Sequence, residues 1–194
     1  MSRRQLLGTG VGAGTGLLLA HAPSGARAAI PPPAPAGDDV GFLAFGAVAE
    51  GVLARYFDAA LKVRGAWTAG EKRLLDQAHG HHRANVDRIN AALGPDDAVT
   101  PGAFSRKVPI GTRAGALKVG RRLETLVGGA YLGGLAAASD YGTRLLLGRL
   151  LAVATTNEAL LARWASAPLA GLPSPVDLDA AGLTLDAYLE DPMS

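Results

Sequence analysis

The sequence contains no cysteine among its 194 residues. Disulfides, thiolate zinc sites and cysteine nucleophiles are excluded, and an oxidising compartment poses no threat to the fold. Aromatic residues make up only 5 % of the chain. With Ala, Leu and Gly dominant, the composition favours helices, because strands draw on β-branched and aromatic residues. A strong charge of either sign is missing as well. The formal net charge is +2, and it belongs to the first residues of the chain. Taking Arg3, Arg4 and Arg27 from the 19 basic residues leaves 16 against 17 acidic, a net of −1. This balance gives no electrostatic case for a nucleic-acid partner. No G-x-G-x-x-G run, phosphate loop or nucleophile elbow is present either.

What is present begins with a leader. Met1-Ser2-Arg3-Arg4-Gln5-Leu6-Leu7 places an Arg pair ahead of an apolar, Gly-rich run from Leu6 to Ala20, and Ala26-Arg27-Ala28 follows. A charged start, a short apolar run and an A-x-A site read as a secretory signal over 1–28. The Ser-Arg-Arg-x-Leu-Leu start resembles the twin-arginine translocation signal, which implies the twin-arginine translocase as a transient partner. Export to the periplasm, cell envelope or exterior is expected. The alternative is an uncut anchor, although the run of about 15 residues is short of the ~20 that a membrane span needs. Residues 29–37 include Ile30-Pro-Pro-Pro-Ala-Pro-Ala-Gly37, a stiff polyproline-type linker.

Nearly half of the residues are apolar, enough for one domain with a sizeable core. Over 38–166 the punctuation predicts four long helices. Asp38 and Asp39 are candidate N-caps for a first helix reaching about Arg64, with Gly65 ending it. Thr68-Ala-Gly-Glu71 forms a capping box for a second helix, stopped by Gly94-Pro95. The stretch 94–112 lacks periodicity and reads as a long connection. Thr112 caps a third helix to about Ala138, Ser139-Asp140 makes a turn, and a fourth helix runs from about Tyr141 to Ser166. The C-terminal tail, 167–194, with Pro168, Pro173 and Pro175, reads as loose, with one short helix from Leu183 to Leu189 packed on the bundle and a solvated acidic end. Short, long and short links predict an all-α, antiparallel four-helix bundle with one long crossover between helices 2 and 3.

Heptad spacing picks out a buried seam on each helix. The seams read Leu43, Gly46, Glu50, Leu53, Phe57, Ala60; then Leu75, Ala78, His82, Asn85, Ile89, Ala92. The third and fourth read Leu117, Gly120, Glu124, Val127, Tyr131; then Leu147, Leu150, Ala154, Asn157, Leu161, Trp164. Each is apolar or small except near its middle, where Glu50, the pair His82 and Asn85, Glu124 and Asn157 stand. A lone buried carboxylate costs several kcal/mol. These five groups are therefore expected to face one another, either closed into a hydrogen-bonded network or holding a cation.

Leu43-Ala-Phe-Gly-Ala-Val-Ala-Glu50 and Leu123-Glu124-Thr-Leu-Val-Gly-Gly-Ala-Tyr131-Leu-Gly resemble helices one and three of exported bacterial ferritin-like domain proteins. The resemblance spans roughly residues 40 to 166. It implies a ferritin-like fold and a di-metal site built from single Glu residues on two helices and Glu-x-x-His on the other two. Glu50 and Glu124 match the single-Glu positions. The expected Glu-x-x-His segments read His82-Arg-Ala-Asn85 and Ala154-Thr-Thr-Asn157, so both are altered.

The resemblance leaves three readings. The first is a non-catalytic exported bundle whose polar centre is vestigial and holds no metal. The second is a protein that binds or stores one divalent ion (iron, manganese or zinc) through Glu50, His82 and Glu124, with Asn85 and Asn157 as weak neutral ligands. The third is an oxidase or peroxide-scavenging enzyme with an unusual ligand set. Two carboxylates balance two metal ions poorly, so a diiron oxidase is disfavoured. His79 and His82, three residues apart, form a possible surface metal pair, while His81 points elsewhere. Glycines 128, 129, 133 and 134 permit close approach within the chain or in a homo-dimer, and a protein partner is equally compatible. The basic residues Arg121, Arg122, Arg144 and Arg163 are expected to meet solvent or acids of neighbouring helices.

Overall fold

A computed structural model describes residues 39–189, apart from 101, 103, 104 and 106. The leader 1–28, the linker 29–37 and Asp38 lie outside the described residues, as does the end of the acidic tail. Among the described residues the chain is all-α, with helices α1 (Asp39–Leu61), α2 (Ala69–Leu93), α3 (Arg113–Ala137), α4 (Tyr141–Trp164) and α5 (Leu178–Asp186).

Local chemistry sets the helix starts. Thr68 accepts from the Glu71 N–H at 3.2 Å, and Glu71 Oε2 accepts from the Thr68 N–H at 2.8 Å, a closed capping box. Thr112 and Asp140 cap α3 and α4 through the N–H groups of Gly115 and Thr143. Asp39 does something other than the capping expected of it. It is the first residue of α1, and its carboxylate accepts the N–H groups of Ser139 and Asp140 at 2.9 and 2.7 Å. It thereby ties the beginning of α1 to the α3–α4 corner.

The ends differ more from expectation. Helix α1 stops at Leu61, before Arg64, because the Trp67 indole N–H donates to the Ala60 carbonyl at 2.7 Å and Gly65 turns the chain with φ +66. Trp67 also stacks under the Arg113 guanidinium, which makes two bonds to Glu71. The tail helix begins at Leu178, five residues before the expected Leu183, since Asp177 caps it through the N–H groups of Asp179 and Ala180.

Helix α1 packs along α2, α3 packs along α4, and the two hairpins meet chiefly through α1 and α3. The long connection is pinned at Val99, whose N–H and C=O both bond to the Asn90 side chain. Helix α5 lies against α3 and α1. Helix α1 is buried on more than its seam side, at Ala49, Val52 and Tyr56 as well as Leu43, Leu53 and Phe57, and Tyr56 donates to the Ala116 carbonyl of α3 at 2.8 Å. All the seam positions named above are buried except Ala92 and Trp164, which are half-buried. The tail is not loose. The Val176 N–H donates to the Gly129 carbonyl at 3.0 Å, and a side chain at Gly129 or Gly133 would stand 2.7 Å from backbone oxygens of Ser174 or Val176. These glycines therefore serve an approach within the chain.

Candidate functional site

The four seams converge on one polar cluster. The site is built from Glu50 on α1, His82 and Asn85 on α2, Glu124 and Tyr131 on α3, and Asn157 on α4. Glu50, His82 and Glu124 are essentially inaccessible to water, and Asn157, at 8 % exposure, is the most open of the five sequence-selected residues.

His82 is the centre. Its ring stacks on Phe57 with centroids 5.2 Å apart, which fixes the plane. Nδ1 lies 2.7 Å from Glu50 Oε2, and Nε2 lies 3.2 Å from Glu124 Oε1. The imidazole thus fills the space between the two carboxylates. Burial lowers the His82 pKa, but the charges of Glu50 and Glu124 outweigh it and push it up to about 10. A protonated imidazole in this position donates from both ring nitrogens, one to each carboxylate. Glu124 moves upward too, because its own complete burial penalises the anion more than the facing His82 favours it. One cation between two acids leaves the cluster with at most one uncompensated negative charge.

The remaining donors surround the acids. Tyr131 donates to Glu50 Oε1 at 2.6 Å, and Asn85 Nδ2 donates to Glu50 Oε2 at 2.9 Å. Burial and the Glu50 charge raise the Tyr131 phenol well above its ordinary pKa, so it stays a donor. Arg88 Nη1 in turn holds the Asn85 carbonyl at 2.9 Å, orienting that amide. Asn157 Nδ2 lies 3.0 Å from both Glu124 Oε1 and His82 Nε2. With Nε2 protonated, the oxygen is the acceptor both groups share. All donors reach Glu124 through Oε1, and Glu124 Oε2 is buried without a hydrogen-bond partner.

This donor set does not fit a di-metal centre. Three of the four carboxylate oxygens already accept protein donors, and the imidazole occupies the room a bridging ion requires. Among the described residues no group of three or more His, Asp or Glu side chains is arranged to hold a metal ion. His79 lines a groove between α1 and α2 beside Asp58 and Asp87. Its expected partner His82 has both ring nitrogens engaged in the core, so the two rings do not present a pair of open nitrogens to one cation.

Comparison with known protein families, curated proteins and solved structures finds no match for this chain.

Sequence reasoning placed five members of the cluster and missed three contributors. Tyr131 stood on the α3 seam but read as ordinary core, although its position two turns after Glu124 was the available signal. Arg88, one turn after Asn85, lies off the α2 seam and gave no signal there. Phe57 was treated only as core filling. A separate buried acid was missed entirely. Glu158, one residue from Asn157, bonds to Arg121 through Nε and Nη2 at 3.0 and 2.9 Å, and Arg121 also reaches the Pro168 carbonyl.

Proposed function

We propose that this chain is an exported, ferritin-like four-helix bundle that is non-catalytic, and that its polar centre is a structural network with an imidazolium where the related fold keeps metal. The observation that supports this most directly is His82 lying between Glu50 and Glu124 with one ring nitrogen on each carboxylate. A buried cation of this kind supplies the charge compensation that a metal ion would otherwise supply. The twin-arginine resemblance of the leader supports export, and the hairpin pairing of the helices around one long connection supports the fold.

A second reading, one weakly held divalent ion, is favoured by a specific atom. Glu124 Oε2 is a buried acceptor with no partner, and a single ion there would satisfy it. Elemental analysis of protein collected from its export compartment, purified without nickel resin, separates the two. The structural reading expects far less than one metal per chain. One metal per chain, lost in Glu124→Ala, establishes the second reading. Metal together with turnover of peroxide or oxygen would overturn both.

A further inference from the structure

We propose that the outward face of α4 is a docking surface for a membrane carrying anionic lipid headgroups. The first observation is a stripe. Tyr141, Leu145, Arg149, Ala152 and Thr156 recur at helical spacing on the side opposite the buried seam, and all are exposed. Tyr141 is 77 % exposed and Leu145 44 %, both large apolar bodies facing outward. Arg144 flanks them near the start of the helix, and Arg163 stands exposed near its end.

The second observation is charge segregation. Helix α4 carries three basic residues, Arg144, Arg149 and Arg163, all exposed. Its one acid, Glu158, is buried against Arg121, and Asp140 before it is spent on the α4 N-cap. The outward side of α4 therefore offers arginines and apolar groups with no competing carboxylate on its own helix. That combination suits a helix lying in the headgroup layer. Helices α1 and α4 are both long and apolar enough to cross a membrane by composition. Of that stretch, 61 % is buried in α1 and 39 % in α4.

On a membrane, Tyr141 and Leu145 enter the interfacial layer, while Arg144 and Arg149 meet phosphate oxygens.

The absence of native cysteine makes the test clean. Leu145→Cys in the full chain, labelled with an environment-sensitive fluorophore, is mixed with vesicles of phosphatidylglycerol and phosphatidylcholine, and with vesicles of phosphatidylcholine alone. A label at Asp76→Cys, exposed on α2, is the control. The expected result is a blue shift at position 145 with the anionic vesicles and none at position 76. Combined Arg144→Glu and Arg149→Glu substitutions weaken vesicle binding by about tenfold or more. Tyr141→Ser reports on insertion without altering charge, and it reduces the blue shift. Vesicle capture with both labels silent would mean that the leader alone holds the protein, and would overturn the proposal. So would an equal response to neutral vesicles, or binding to a soluble polyanion such as polyphosphate in place of anionic vesicles.

Discussion

Replacing His82 by Leu removes the one cation from between two buried acids while keeping most of the ring's volume. Glu50 Oε2 then retains Asn85, and Glu124 Oε1 retains Asn157, but the two carboxylates lose the charge that separated them. Breaking a buried ion pair from one side costs roughly 3–5 kcal/mol. The lost stack on Phe57 adds to this. For a folded domain of about 150 residues that corresponds to a fall in Tm of roughly 10 °C or more. Circular dichroism at the helix band, followed through thermal and urea unfolding with a chelator present throughout, measures both. Adding Glu124→Gln to His82→Leu removes one of the two facing acids, and this double variant is expected to regain at least about 1 kcal/mol, a coupling that independent sites would not show. The reasoning fails if His82→Leu costs less than about 1 kcal/mol. It fails equally if the unaltered protein loses several kcal/mol on chelation alone, because a metal would then be holding the acids apart.

Stability is expected to fall as pH rises through the alkaline range. His82 goes from an ordinary value of 6.5 to about 10 in the fold, so its contribution is complete below about pH 6.5 and is lost as pH approaches 10. The raised Glu124 acts in the same direction at lower pH, and urea titrations across the range measure the combined slope. Tyr131→Phe leaves Glu50 Oε1 without its donor, and unfolding should show a loss of about 1–3 kcal/mol. Gly129→Ala drives a methyl against Ser174 and Val176, costing about 1–3 kcal/mol, and limited proteolysis should cut between residues 166 and 176 sooner.

The polar centre was legible because a lone acid on an apolar seam is expensive, so Glu50 and Glu124 announced that something must face them. Two helix starts were legible for a similar reason, since Thr68 with Glu71, and Thr112, have few uses other than satisfying orphan N–H groups, whereas Asp140 read only as part of a turn. The rest escaped because the deciding partner is distant in sequence. Nothing near Asp39 reveals that its carboxylate is wanted a hundred residues later, at Ser139 and Asp140. Nothing near Gly129 shows that the tail will lie on it. Whether an imidazole or an ion occupies the gap between two acids depends on the ring's exact position, and His82 takes that position from Phe57, a residue whose pattern says only that it is buried.

The bonds from Asp39 to the α3–α4 corner have a mechanical consequence. A chain towed by its amino end transmits tension first to residue 39, where two backbone amides on another hairpin grip one carboxylate. The load is shared across both hairpins at once, and α1 is not peeled away turn by turn. Unravelling α1 from its first turn therefore requires parting two hairpins as well as melting a helix.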